Sequence, residues 1–358
     1  MRTLKACLRP AVRLAREANV AVDMLLQRGQ GPLVAFLPAY GCHGAARLRI
    51  YNMAAALGTL GWRRLILPPT LTLAARHRLL AWARPDILVM QGARHTLNRP
   101  NLYPGYSIIY DMDDADFHLP HLASAVERAV PQVACVLAGS TYIADWCRAR
   151  GGRAEVVWTG APVSNRAAPL QSARPPVVAW AQSTPVNYHD EAAWVLDVMR
   201  RVVAYCPAAR LRLYDRRATD DLAFLKPFQA AGIKVEWLET ALFSDYLASF
   251  DDVAVGLAPL SSDTPFSRGK AFGKVLAYLD RRVPVIASDV GEYSAFFDQS
   301  SGVVSNAPEV WAKAITALLE NPLERQTMAD TAYQHFKSRL SLESVTSETD
   351  TILRRYIT

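Results

Sequence analysis

The sequence lacks any long hydrophobic run. No apolar stretch among its 358 residues approaches the roughly 20 residues that a membrane-spanning helix needs. The N-terminal residues are basic, but they lack the continuous apolar core of a secretory signal. These absences predict a cytoplasmic protein.

Cysteine is scarce and odd in number. The five cysteines are Cys7, Cys42, Cys135, Cys147 and Cys206. Their spacing fits neither a zinc site nor a disulfide framework. We therefore expect reduced thiols, as is usual in the cytoplasm.

Motifs of several enzyme classes are also missing. The absence of a Gly-x-Ser-x-Gly motif and of a Ser-His-Asp order argues against a hydrolase triad. The absence of a Gly-x-Gly-x-x-Gly or P-loop pattern argues against dehydrogenases and NTPases. Lys and Arg residues form no dense run and no recognised nucleic-acid motif, so we expect no nucleic acid partner.

The composition is that of a globular protein with a basic surface. Hydrophobic residues make up 51% of the chain, which is long for one domain and favours two. The net charge is +7 and the pI about 9.2. Such a surface suits a nucleoside diphosphate, a phospholipid surface or nucleic acid, and charge alone does not choose among these.

The N-terminal arm, residues 1–32, has cationic and apolar residues at helical spacing, interrupted by Pro10. The cations are Arg2, Lys5, Arg9, Arg13 and Arg16. One interpretation is an anchor on an anionic membrane surface, which would place the protein at the inner face of the cytoplasmic membrane. The other is an ordinary solvated helix packed on the body.

Short apolar strands alternate with helices along the rest of the chain, which predicts parallel sheets covered on both faces. In the first half, strands are expected at 33–38, 64–69, 86–91, 106–114 and 133–140, and a helix at 47–60; in the second half, a helix is expected at 271–280. The aperiodic segment 161–176 is the predicted domain boundary, after which the pattern restarts. We expect one domain at 33–165, a second domain at 175–340 and a C-terminal helix at 341–358. Two doubly wound, Rossmann-like domains would face a central cleft.

Residues 265–293 are the most informative segment. A polar loop follows a buried strand, and the sequence then predicts a helix that opens around Ser267. The first turn of a helix attracts anions, and Arg268, Lys270 and Lys274 add positive charge. Gly269 would let a ligand approach the backbone. A diphosphate fits this pattern; the alternative is an exposed basic helix start without a ligand.

This segment resembles the donor-binding core of retaining GT-B glycosyltransferases, in particular the family 4-like group. The matching positions are Ala258, Pro259, Leu260, Phe266, Lys270, Lys274, Leu276, Tyr278, Pro284, Val285, Ile286, Ala287, Ser288, Asp289, Gly291 and Tyr293. The family usually has Glu where this chain has Ala277, and many members have a second Glu at the position of Gly269. The resemblance therefore implies either a ribose contact from elsewhere or altered donor binding.

The resemblance covers roughly residues 33–335. It implies that 33–165 is the acceptor domain, that 175–340 is the nucleotide-sugar donor domain, and that the helix at 341–358 returns to the first domain. Gly44 and Arg49 match the family's Gly-rich loop and following helix, which implies a diphosphate contact from the first domain. The alternative is a strand-to-helix turn with a surface arginine. Gln182 and Ser183 lie in the opening loop of the donor domain. Gly44, Arg49, Gln182 and Ser183 are therefore expected to contact the donor. The other expected donor contacts are Ser267, Arg268, Gly269, Lys270, Lys274 and Tyr278.

Four carboxylates crowd one loop: Asp111, Asp113, Asp114 and Asp116. Close like charges raise at least one pKa, which makes a general base conceivable. A Mg²⁺ or Mn²⁺ site and a purely structural role as caps or arginine partners are the alternatives. We take Asp113, Asp114 and Lys270 as catalytic candidates. Four histidines share the first-domain loops, without a basis for choosing among them: His43, His95, His118 and His121.

The resemblance implies a glycosyltransferase that uses a nucleotide-diphosphate sugar as substrate, with retention and without a metal or another cofactor. The acceptor would be a glycan, a lipid-linked molecule or a small molecule. The missing glutamates leave open an inert GT-B-shaped subunit that supports another transferase. A sugar-nucleotide epimerase is a weaker alternative.

Overall fold

The computed structural model describes residues 2–27, 30–215, 222–239 and 243–357, and the chain forms two compact units. The first unit combines Met1–Pro162 with Leu342–Thr358, and the second is Val163–Ser341. The division falls inside the aperiodic segment 161–176, most of which belongs to the second unit. Within the described part of the chain, no helix combines the length and apolarity that crossing a bilayer requires.

A six-stranded parallel sheet forms the core of the first unit, in the order β2-β1-β3-β4-β5-β6. Its strands are β1 (Leu33–Leu37), β2 (Arg63–Ile66), β3 (Ile87–Gln91), β4 (Ile108–Met112), β5 (Cys135–Ala138) and β6 (Ala154–Val156). The strands β1, β3, β4 and β5 are buried along their whole length, as expected for a sheet covered on both faces.

The helices of the first unit are α1 (Arg2–Leu25), α2 (Gly44–Ala46), α3 (Met53–Thr59), α4 (Leu73–Ala83), α5 (Pro120–Ala129), α6 (Thr141–Arg148) and α14 (Leu342–Arg354). A π-helical turn, Arg47–Asn52, joins α2 to α3. Thr72 and Ser140 cap α4 and α6 by accepting a hydrogen bond from a backbone N–H of the first turn. Apolar residues of α14 complete the core: Val345, Ile352 and Leu353 are buried with strand residues of the sheet.

The second unit has its own six-stranded parallel sheet, in the order β12-β11-β10-β7-β8-β9. Its strands are β7 (Val177–Trp180), β8 (Arg210–Asp215), β9 (Lys234–Glu239), β10 (Val255–Ala258), β11 (Val285–Ala287) and β12 (Gly302–Val304). Its helices are α7 (His189–Tyr205), α8 (Leu222–Ala230), α9 (Phe243–Ala248), α10 (Leu276–Asp280), α11 (Tyr293–Phe296), α12 (Pro308–Glu320) and α13 (Pro322–Arg339). Read from β7, this is the doubly wound order 3-2-1-4-5-6, whose direction reverses between β7 and β10.

The predicted α/β class with two doubly wound sheets is confirmed. Two expected helices differ from the structure. The helix predicted at 47–60 begins with the π-helical turn, and the one predicted at 271–280 is reduced to α10, five residues long. The helix α5 and the three-residue strand β12 escaped prediction. The four cysteines whose side chains are described, Cys42, Cys135, Cys147 and Cys206, are free thiols.

Candidate functional site

The four clustered aspartates, Asp111, Asp113, Asp114 and Asp116, lie at the carboxyl end of β4 and beyond it, and two arginines neutralise part of their charge. Arg94, three residues after β3, donates from Nη2 to Asp114 Oδ2 at 2.6 Å and to Asp116 Oδ1 at 2.6 Å. Its Nε donates to Asp116 Oδ2 at 2.8 Å. Burial alone would lower the pKa of Arg94, but the two carboxylates raise it well above its ordinary value. Asp114 and Asp116 are thus tied to one guanidinium.

Arg49 lies on the π-helical turn and is buried beside the sheet. Its Nε donates to Asp111 Oδ1 at 2.8 Å, and its Nη1 donates to the Val157 carbonyl at 2.9 Å. Burial raises the pKa of Asp111 despite the opposing effect of Arg49. This burial contradicts the alternative of a surface arginine, and the expected diphosphate contact stays a prediction. The Arg49 side chain thus connects the carboxyl ends of β4 and β6 through hydrogen bonds.

Asp113 is the aspartate of this loop with the greatest solvent access. Its side chain is 25% exposed, against 16% for Asp114 and 3% for Asp111. Thr159 donates its hydroxyl to Asp113 Oδ1 at 2.6 Å, and Arg49 Nη1 lies 3.8 Å from the same oxygen. These contacts fix the orientation of the Asp113 side chain, and part of its carboxylate remains accessible to solvent. A substrate hydroxyl is a natural partner for such a carboxylate.

The histidines of the first unit are dispersed. His118 is exposed, and its Nε2 lies 2.8 Å from the Tyr142 hydroxyl. His95 is half-buried, and burial together with Arg76 lowers its pKa. His43 and His121 are exposed. Across the described ranges, no group of three or more His, Cys, Asp or Glu side chains is arranged to hold a metal ion.

In the second unit, the basic segment follows β10. Pro265–Gly269 forms a short 3₁₀ turn, Lys270 has extended backbone angles, and α10 begins only at Leu276. The prediction of a helix that opens around Ser267 is therefore wrong. The segment contains Gly269 and Gly273, which disfavour a helix. Positive charge here comes from side chains rather than from the end of a helix.

The two lysines each lie over an aromatic ring. Lys270 Nζ is 4.5 Å from the centre of the Phe266 ring, and Lys274 Nζ is 4.5 Å from the centre of the Tyr188 ring. Cation–π contacts of this length hold an ammonium group in place without removing its charge. Phe266 follows β10, and Tyr188 lies in the loop between β7 and α7. The lysines thus lie near the carboxyl ends of the two strands between which the sheet order reverses, where doubly wound sheets bind ligands.

Neighbouring loops brace this segment. The Leu260 N–H donates to Ser288 Oγ at 3.0 Å, and the Ser261 N–H donates to Glu191 Oε1 at 3.2 Å. Gly291 has φ +70°, and a Cβ at this position would collide with the carbonyl oxygen of Lys270. Glycine is therefore required where the loop after β11 crosses the backbone of Lys270.

The remaining residues predicted to contact the donor differ in solvent exposure. Tyr278 is buried in the core, where its hydroxyl accepts from the Ala181 N–H at 2.7 Å and donates to the Ala179 carbonyl at 2.8 Å. These hydrogen bonds fix the end of β7, and a donor contact from Tyr278 stays a prediction. Gln182 is buried, and its Oε1 accepts from the Ser183 N–H at 3.0 Å. Among the other four predicted contacts, Ser267 and Gly269 are buried, whereas Gly44 and Arg268 are exposed.

Sequence reasoning missed the partners of the chosen residues. Arg94 and Thr159 contact the aspartates, Phe266 and Tyr188 contact the two lysines, and Glu191 contacts the loop at Ser261. One signal was available: Arg94 and Thr159 follow the ends of β3 and β6, and the carboxyl ends of parallel strands meet at one edge of a sheet.

Solved structures with similar folds match nearly the whole chain. Sucrose-phosphate synthase from Thermosynechococcus elongatus has a TM-score of 0.68 and 13% identity, over 91% of this chain and 99% of that one. Anabaena HepE, in a complex with UDP and glucose, has a TM-score of 0.65 and 14% identity, over 91% and 100%. A glycosyltransferase from Rickettsia africae has a TM-score of 0.68 and 10% identity, over 92% and 99%.

No family model matches the sequence, and a comparison with curated proteins finds no match either. The likeness to these structures shows the fold. The chain has the GT-B fold, as the resemblance in its sequence predicted.

Proposed function

We propose that this chain is a glycosyltransferase that moves a sugar from a nucleotide-diphosphate donor to an acceptor. The observation that carries the proposal is the pair Lys270 and Lys274, held over aromatic rings near the reversal point of the second sheet. The GT-B fold supports it, since HepE of the same fold was solved with UDP and glucose.

The lysines would act on the leaving group. When the bond from the sugar to the diphosphate breaks, negative charge grows on the phosphate oxygens. Lys270 and Lys274 would stabilise that charge as fixed cations, and the exposed Arg268 would add a third. Because no helix begins at Ser267, these side chains would supply the charge that the sequence pattern assigned partly to a helix end.

Asp113 is the proposed acceptor contact of the first unit. Its accessible carboxylate would accept a hydrogen bond from the acceptor hydroxyl and orient it. Asp114 is held by Arg94 at 2.6 Å, so its carboxylate is less available to an acceptor than that of Asp113. A family 4-like enzyme that works with retention and without a metal or other cofactor belongs to the same proposal and rests on the sequence resemblance.

The proposal includes an acceptor that is a glycan, a lipid-linked molecule or a small molecule, within polysaccharide biosynthesis. The reaction would take place in the cytoplasm, and an anionic membrane surface is a candidate partner. The +7 net charge is compatible with both the donor and such a surface.

Calorimetric titration with UDP, GDP and ADP, paired with donor hydrolysis, tests the proposal. Lys270→Ala and Lys274→Ala should each weaken binding of the preferred diphosphate roughly 10- to 100-fold, because each removes a charge-assisted contact. Lys313→Ala, an exposed change on α12 of the same unit, is the matched control and should bind as the wild type does. Unchanged diphosphate affinity and unchanged turnover in both lysine variants would contradict the role of Lys270 and Lys274 in donor binding.

A second candidate is a GT-B-shaped subunit that binds without catalysing and supports another transferase. The observation that favours it is Ala277, buried on α10 where the resemblance expects a glutamate. Absence of nucleotide affinity in the titration would favour this candidate. A sugar-nucleotide epimerase, the weaker alternative, would instead release a changed sugar nucleotide without any acceptor.

A further inference from the structure

The helix α1 presents an apolar stripe to solvent. Leu14, Val22 and Leu25 are 65%, 50% and 69% exposed, and Leu26, just beyond the helix, is 74% exposed. With the exposed Ala18, the three helical positions lie within an arc of about 80° at 3.6 residues per turn. No charged residue interrupts this arc between Leu14 and Leu25. Exposed apolar residues this large and aligned are costly in water unless something covers them.

Another side of α1 is fixed to the first unit. Glu17 and Arg78 of α4 form an ion pair at 2.7 Å, and Val20 is buried. After the helix, Gln27 donates to the Arg64 carbonyl at 2.7 Å and accepts from the Arg64 N–H at 2.7 Å. Because α1 packs on the first unit through these residues, its apolar stripe faces solvent and stays uncovered after the unit folds.

The charge of the segment has one sign. The sequence from Met1 to Arg16 contains five cations, Arg2, Lys5, Arg9, Arg13 and Arg16, and no acid. Arg16, the last of them, is exposed. An apolar stripe joined to several cations is the pattern of helices that lie in the headgroup region of anionic bilayers.

We propose that α1 docks the first unit on an anionic lipid surface. Leu14, Val22 and Leu25 would enter the boundary between headgroups and acyl chains, and the cations would attract the phosphates. A lipid surface satisfies the stripe and the charge together, whereas a second copy of this chain would bring another basic segment of the same sign. The proposal does not rest on transferase activity.

Co-sedimentation with vesicles tests the docking. Full-length protein should bind vesicles of phosphatidylcholine with 30% phosphatidylglycerol (about one anionic lipid in three), and should bind pure phosphatidylcholine much less. The double variant Leu14→Gln with Leu25→Gln should lose about tenfold or more in partitioning, because two leucines no longer enter the bilayer. Arg16→Gln should lose about fivefold, and added salt should weaken all binding.

Leu170→Gln is the matched control. It changes a leucine of similar exposure, 66%, in the second unit, and should bind vesicles like the wild type. Circular dichroism checks that every variant stays folded. Failure of the wild type to bind anionic vesicles at low salt would overturn the proposal, and so would equal binding by the double variant. A stripe-dependent dimer in light scattering without vesicle binding would also overturn it and assign the stripe to self-association.

The outcome is separable from that of the proposed function. The vesicle assay contains no nucleotide, and the calorimetric titration contains no lipid. Vesicle binding without nucleotide affinity would contradict only the transferase proposal. Nucleotide affinity without vesicle binding would contradict only the docking proposal.

Discussion

At the scale of single residues, Arg49 forms a buried ion pair that connects separate parts of the first unit. Its guanidinium bonds Asp111 and the Val157 carbonyl, and both partners of the ion pair are buried. A buried pair contributes little net stability when intact, but removing one partner leaves the other charge desolvated. The residue should therefore be important for folding.

Arg49→Met should lower the free energy of unfolding by about 3–5 kcal/mol, since it strands the Asp111 carboxylate. Arg78→Met, which breaks the exposed pair with Glu17, should cost about 0–1 kcal/mol. Urea denaturation measures both. Equal effects would contradict the structural role of Arg49.

The same variant should have a distinctive pH dependence. The pKa of Asp111 is already raised by burial, and removing Arg49 removes the group that lowers it. The folded pKa would then lie further above the unfolded one, so the folded state gains protons as the pH falls and becomes relatively more stable. We expect the deficit of Arg49→Met against the wild type to shrink as urea midpoints are measured from pH 7 down through the raised pKa. A deficit that is constant with pH would contradict this explanation.

The sequence predicted which residue types gather after the strands but not how they pair. The aspartates were visible because they crowd one loop. Arg49 and Asp111 are 62 positions apart, and Asp113 and Thr159 are 46 apart. Such pairs form only once the sheet order β2-β1-β3-β4-β5-β6 brings the strand ends together. The local sequence around each residue does not specify the order of the strands in the sheet.

At the scale of elements, the segment from Pro265 to Asp280 shows why local pattern failed. Its lysines at 270 and 274 have helical spacing, yet a 3₁₀ turn and an extended Lys270 precede α10. Propensity is a weak guide where glycines occur and where another loop fixes the backbone. Gly291 provides that constraint from the loop after β11.

Gly291→Ala should displace the backbone of Lys270. The position has φ +70°, and the added methyl group would meet the Lys270 carbonyl oxygen. We expect a loss of about 1–2 kcal/mol in stability from the left-handed conformation and a roughly 10- to 100-fold loss of turnover from misplacing the lysine. Urea denaturation and donor hydrolysis measure the two effects.

Gly273→Ala is the control, because its new Cβ would meet no atom within 4 Å. It should leave turnover close to that of the wild type. If both variants behaved alike, the contact between Gly291 and Lys270 would have no functional role.

At the scale of the whole molecule, α14 is remote in sequence from the unit that it completes. Trp62 Nε1 donates to Asp350 at 2.6 Å, and Arg354 lies over the Trp62 ring. Leu353 is fully buried in the core of the first unit. The expectation that residues 341–358 return to the first domain came from the family resemblance, since the helical pattern of α14 does not specify where it packs.

Two core variants should separate the two units. Leu353→Ala in the first unit and Leu213→Ala in the second each remove a fully buried side chain, at a cost of about 2–5 kcal/mol. Calorimetric unfolding should show that each variant destabilises a different part of the transition. Identical changes in the heat-capacity profile would mean that the units unfold as one cooperative structure.

The alternation of strands and helices was sufficient to predict both sheets, because buried parallel strands such as β1 and β10 are short apolar runs. β12 has only three residues, too few for a periodic signal. α5 had apolar residues at helical spacing, with Leu122, Ala125, Val126 and Ala129 buried. The sequence therefore contains a periodic signal for α5, unlike for β12.

The division of the first unit between Met1–Pro162 and Leu342–Thr358 has a consequence for biosynthesis. A ribosome makes the second unit, Val163–Ser341, in one uninterrupted stretch, and that unit can fold as it emerges. The first unit begins earlier but has its core closed only after α14 leaves the exit tunnel. Until then its unfinished apolar surface is exposed to chaperones, so translational pausing before Leu342 should lengthen that exposure.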